Sequence, residues 1–84
     1  MTVQLLQSEI YRLQKENLTR GTRLALEFAE AEIAADPSPG LNRRELADGG
    51  IVDTSVQDLL IEYRRVSPTA VELYRVYDLR SLAP

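Results

Sequence analysis

Catalysis at neutral pH needs groups that exchange protons, attack as nucleophiles or hold a metal. This chain has 84 residues, with 13 Asp and Glu against 10 Lys and Arg, no histidine and no cysteine. Without histidine it lacks the commonest general base and metal ligand. Without cysteine it has no thiolate nucleophile, no disulfide and no thiolate metal site. Carboxylates remain. Glu27 and Glu30 stand three apart, which would place both on one helix face, but a carboxylate metal site of the helical kind also uses histidine at that spacing. Glu16 and Arg20 stand four apart, in the order that favours a solvated surface pair. The single lysine, Lys15, lies among charges, and no serine or threonine has a base to activate it. Asp48-Gly49-Gly50 and Pro37-Ser38-Pro39-Gly40 have the composition of turns; neither has the glycine–lysine pattern of a phosphate loop. The expectation is a protein that is not an enzyme, with no catalytic residues, cofactor, metal or small-molecule substrate.

Binding is the remaining chemistry. A net charge of −3 with interspersed signs argues against nucleic acid as the partner, since phosphate contacts need clustered Lys and Arg. No apolar run approaches the ~20 residues of a membrane span. Met1-Thr2-Val3 opens directly into a patterned segment with no basic leader, so the expected compartment is the cytoplasm. The partner expected is another protein.

The elements that would present such surfaces read as helices. From Val3 to Ala35 no proline intervenes, and Leu6, Ile10, Leu13, Asn17, Gly21, Leu24, Phe28, Ala31 and Ala35 recur at steps of three and four, close to the helical period. This predicts one long helix over residues 1–35, N-capped by Thr2 and ended by a Pro/Gly loop over 36–40. Such a helix would be ~50 Å long, more than a chain this small can cover. Residues 41–84 read as short helices. Asn42-Arg43-Arg44-Glu45 resembles a capping box that opens a helix stopped at Asp48-Gly49-Gly50. Thr54-Ser55-Val56-Gln57 opens a second helix, with Val56, Leu59, Leu60, Tyr63 and Val66 on one face. Ser67-Pro68 reads as N-cap and first-turn proline of a last helix reaching Leu82. Ile51-Val52 is too short to make a sheet. The fold class expected is all-α, a single domain forming a small helical bundle.

Candidate interfaces follow from that reading. Val3, Leu6, Ile10, Leu13 and Asn17 fit the a and d positions of a short coiled-coil seam, with a buried asparagine setting register in a homo-oligomer. Gly21, on the same stripe, marks a close helix crossing. In the last helix Tyr74, Val76 and Tyr77 lie in a nearly all-round apolar segment and form a second partner surface. The Arg44–Leu60 segment loosely resembles a helix-turn-helix, with Arg43, Arg44, Arg64 and Arg65 as the DNA contacts it would offer; Asp53, Asp58 and Glu62 on the would-be reading helix oppose that use. The function expected is a non-catalytic assembly, adaptor or chaperone-like module in a larger complex. The alternatives are a small DNA-binding regulator and an acidic, antitoxin-like inhibitor.

Overall fold

The computed structural model describes residues 2–82. Met1, the start of the expected first helix, and residues 83–84, which follow the expected last one, lie outside them. The described chain is mixed α/β, not all-α. In order it runs β1 (Gln4–Gln7), α1 (Glu9–Glu16), α2 (Arg20–Ala35), β2 (Arg43–Glu45), β3 (Ile51–Asp53), β4 (Leu59–Ser67), β5 (Ala70–Asp78) and a 3-10 turn, Leu79–Leu82. The strands form one sheet in the order β1-β5-β4-β3-β2. β1 pairs parallel to β5, and the other neighbours are antiparallel.

The expected 1–35 helix is three elements. Gln4–Gln7 leaves the helical layer and becomes an edge strand, so Val3, Leu6, Ile10, Leu13 and Asn17 do not form a coiled-coil seam. Ser8 then caps α1, its Oγ accepting from Tyr11 N at 3.0 Å. Asn17 ends α1 rather than setting a register; its Nδ2 donates to Leu13 O at 3.0 Å. Thr19 caps α2 in turn, its Oγ1 accepting from Thr22 N. Each such cap satisfies backbone donors the helix cannot, for about 1 kcal/mol. α2, at 16 residues, is ~24 Å long, half the predicted span.

The second half is a β-meander in place of the expected short helices. The resemblance to a helix-turn-helix is thereby lost, because Arg43–Glu45 and Ile51–Asp53 are paired strands joined by the turn at Asp48-Gly49. Gly49 takes φ +89° there, a conformation glycine adopts without strain. Ser67-Pro68-Thr69 is the tight link between β4 and β5, not a helix start: Thr69 N donates to Ser67 Oγ, and Ser67 pairs with Ala70. Along β4, Leu59, Ile61 and Tyr63 are buried while Leu60, Glu62 and Arg64 are half-buried on the other face, the period of two that a strand requires.

β5 hides that period behind a bulge. Glu62 pairs with Arg75 and Tyr63 with Leu73, leaving Tyr74 as the extra residue. Leu73 and Val76, three apart, therefore both enter the core, which imitates a helical step. The core lies between the helices and one sheet face. Tyr11, Leu26, Ala29 and Ile33 meet Val3, Ile51, Leu59, Ile61, Tyr63, Val71, Leu73 and Val76. Among the described residues no helix covers the opposite face of the sheet.

Candidate functional site on the open sheet face

Register places the side chains of the open face. Pairs in antiparallel register share a side, so Arg44 and Val52 lie together, as do Val52 and Glu62, Glu62 and Arg75, Leu60 and Tyr77, and Arg64 and Glu72. Edge strand β1 adds Leu6, paired with Glu72. The result is a cationic and aromatic array with two carboxylates set into it. The bulge at Tyr74 turns that ring toward β4, where the Arg64 guanidinium stands 4.7 Å from its centroid. An exposed contact of that kind contributes about 0.5–1 kcal/mol and holds the arginine flat.

Arg64 is incompletely satisfied. Asp48 approaches its Nη2 at 3.6 Å, but its Nε is buried with no hydrogen-bond partner among the described residues. Such an orphan donor costs about 1–3 kcal/mol. Next to the bulge, Arg75 Nη1 donates weakly to Tyr77 Oη at 3.4 Å. That bond, and the field of Tyr77 behind it, raises the Arg75 pKa above its ordinary value. Beside Arg44, a hollow of about 450 Å³ opens between Asn42, Val52, Thr54 and Leu60. A planar guanidinium over a ring and a fixed cation beside a phenol suit anionic or carbonyl-rich surfaces.

The four arginines named from the sequence thus separate. Arg43 belongs to the architecture: its Nε donates to buried Asp53 at 2.8 Å, and its Nη1 donates to Asp36 O and Ser38 O. Asp53 in turn accepts from Ser55 N and Oγ. Asp36, exposed beside this network, is held below the usual carboxylate range, first by the Ser38 amide, then by the Ser38 side chain, and less by the Arg43 charge. Arg65 donates to Pro68 O at the hairpin. Arg44 and Arg64 remain on the open face.

Of the tyrosines singled out, Tyr74 and Tyr77 lie half-buried on that face, while Val76 is in the core. Val3 is in the core as well; Leu6, Ile10, Leu13 and Asn17 are exposed. Gly21 is exposed, with nothing within 4 Å of where a Cβ would stand.

Glu62, Glu72 and Arg75 were missed as members of a site. The period-two run Leu59–Arg64 was the signal that could have placed Glu62 beside its neighbours. Two further polar groups serve the fold. The Tyr11 hydroxyl donates to Glu30 Oε2 at 2.5 Å, and Lys15 Nζ reaches the same carboxylate at 3.0 and 3.2 Å, tying α1 to α2. Tyr63 Oη donates to Pro37 O at 2.8 Å. Among the described residues no group of three or more acidic, His or Cys side chains could hold a metal. No helix among them is long and apolar enough to cross a membrane.

No protein-family model matches the sequence, and no curated protein matches it. Among solved structures, the chain is similar to a chain of the RelBE2 toxin–antitoxin complex from Mycobacterium tuberculosis. That likeness has a TM-score of 0.72 at 24% identity, over 93% of this chain and 99% of that one. It is also similar to TrmO from P. aeruginosa, with a TM-score of 0.58 at 24% identity. There the match takes in 90% of this chain but 33% of the other, so this chain spans a third of that protein. At these identities the likeness is one of fold.

Proposed function

We propose that this chain is one half of a toxin–antitoxin pair, and of the two roles the toxin's. The observation that carries the reading is the end-to-end structural likeness to a chain of such a complex. The open face supports the choice of role. Arg44, Arg64, Tyr74, Arg75 and Tyr77 are held on adjacent paired strands, so a target meets a surface that is already built. The apolar side chains that a neutralising protein would cover, among them Ile10, Leu13, Leu24 and Phe28, sit on the helices, away from that face. The chain acts by binding its target in the cytoplasm rather than by catalysis. Its affinity comes from the exposed edge of the Arg64 guanidinium and from the Tyr74 ring.

The test is induced expression in a bacterial host. Growth should stop on induction and resume when the product of the adjacent gene is co-expressed. Arg64→Ala and Tyr74→Ala should each relieve the arrest at equal soluble protein level. Glu62→Gln, which keeps the shape of the face and removes its central carboxylate, should leave the arrest intact. Unimpaired growth at high soluble levels would remove the toxin assignment. Arrest abolished by Glu62→Gln would replace binding with acid–base chemistry.

A further inference from the structure

The outer face of α2 carries large apolar side chains that nothing among the described residues covers. Leu24 is 59% exposed and Phe28 68%, directly opposite the side that buries Leu26, Ala29 and Ile33. Their neighbours on the helix are arranged about Leu24 in a particular way. At about 100° per residue, Phe28 and Gly21 lie on one flank of Leu24, four residues after it and three before. Arg20 and Glu27 lie on the other flank, four before and three after. A two-fold axis through Leu24, perpendicular to the helix, would bring a second α2 against the first in antiparallel fashion, and such an axis sets like flank against like flank.

We infer that a second copy of this chain docks on α2, with Leu24 against its symmetry mate, the Phe28 ring of each copy over Gly21 of the other, and Arg20 of each paired with Glu27 of the other. Each component of this arrangement is independently present. The space above Gly21 is open: outside the backbone of its own helix and its chain neighbours, no atom of the described residues lies within 4 Å of where a Cβ would stand, so a ring can approach the backbone there. Arg20 and Glu27 make no ion pair among the described residues. A hollow of about 310 Å³ lined by Arg20, Arg23, Leu24 and Glu27 receives the partner's Leu24. Steric and charge complementarity share one centre, so a single dyad satisfies both. The two strips are each ~24 Å long and bury an area at the low end for specific interfaces, so the dimer is weak and concentration-dependent. The inference does not rest on the toxin assignment; the surface lies away from the open sheet face, and a neutralising protein that covered Leu24 and Phe28 would compete with the second copy for it.

Sedimentation velocity of the full chain from low to high micromolar concentration tests it. The expected result is a shift from monomer to dimer mass over that range. Arg20→Glu and Glu27→Arg should each weaken dimerisation at least about tenfold, because each sets like charges opposite one another. The double variant Arg20→Glu/Glu27→Arg should recover it. Gly21→Leu should abolish it while leaving the far-ultraviolet circular dichroism of the monomer intact and its thermal transition no lower. A chain that stays monomeric throughout overturns the inference. So does a dimer indifferent to both single charge reversals, which would belong to another surface such as Ile10 and Leu13.

Discussion

Tyr11→Phe should destabilise the fold by about 2 kcal/mol, far more than the loss of one oxygen suggests. Tyr11 is fully buried, and its hydroxyl makes a 2.5 Å bond to the Glu30 carboxylate. Glu30 itself retains only 9% exposure. A hydrogen bond to a charged acceptor contributes roughly 1.5–3 kcal/mol, and the space left by one oxygen is too small for a water to replace it. Lys15 remains at 3.0 Å, which keeps the cost from the upper end of that range. Burial first, then the hydrogen bond and charge of Glu30, push the Tyr11 hydroxyl far above its ordinary pKa, so the donor stays protonated wherever the chain is folded. For a domain of this size, 2 kcal/mol lowers Tm by about 10 °C. Urea denaturation at neutral pH should show the midpoint falling with the slope unchanged. A double-mutant cycle with Glu30→Gln should give a coupling of at least about 1 kcal/mol. A loss under about 0.5 kcal/mol, or a coupling near zero, would show that Lys15 and solvent satisfy Glu30 unaided and that the clamp between the helices lies elsewhere.

Other expectations follow from the same framework. Asp53→Ala strands the Arg43 guanidinium, which is 12% exposed in its side chain, and should cost about 3 kcal/mol in a urea melt; a change near zero would place the hold on the 36–43 loop in Tyr63 and Pro37 instead. Burial pushes Tyr63 up to about 12, so the folded chain keeps a proton that the unfolded chain releases near pH ~10. Stability is then full at neutral pH, and Tyr63 contributes a fall of roughly 2–3 kcal/mol as pH rises from about 10 to about 12, in addition to the fall from Tyr11; a Tyr63→Phe variant that loses stability over that window as steeply as the parent would mean Tyr63 ionises in place. Gly49→Ala, at φ +89°, should cost about 1 kcal/mol, whereas Gly21→Ala in α2 should gain up to about 1 kcal/mol. Changes of the same sign would contradict the assignment of one glycine to a turn and the other to open helix surface.

Some of this was legible in the residues. The Pro/Gly segment at 36–40 and the turn at Asp48-Gly49 lie between elements, as their composition requires. Residues Arg20–Ala35 form a helix, and its stripe Leu24, Phe28, Ala31 and Ala35 is the one the spacing picked out. Its direction was not legible: it faces solvent, while Leu26, Ala29 and Ile33 face the sheet. In a helix with many small apolar residues, two faces can both satisfy a periodicity test, and only the partner decides between them. The split at Asn17-Leu18-Thr19 escaped because the stripe keeps a step of three or four across the break. Ser8 and Thr19, each followed three residues later by the amide it accepts from, were the available signals.

The strands were misread for a more general reason. A β-bulge adds one residue to a period of two, and the resulting step of three is what an amphipathic helix shows. In β5 that displacement separates Leu73 from Val76; in β4, Leu60, Tyr63 and Val66 fall three apart while lying on different sides of the sheet. Neither strand contains a glycine, and β-branched and aromatic content is the local property that distinguishes such segments from helices. The consequence reaches function. Read as a helix, the Tyr74–Tyr77 segment looked like apolar excess in need of a companion. As a bulged strand it sends Val76 into the core and leaves two phenols beside Arg64 and Arg75, a polar face that water can cover. The uncovered apolar surface lies instead on the helical layer, at Leu24 and Phe28, because two helices on one side of a sheet bury only their inward stripes. Among the described residues two faces of different chemistry therefore remain open on opposite sides of the molecule, which is why the proposed target-binding surface and the proposed self-association surface need not compete.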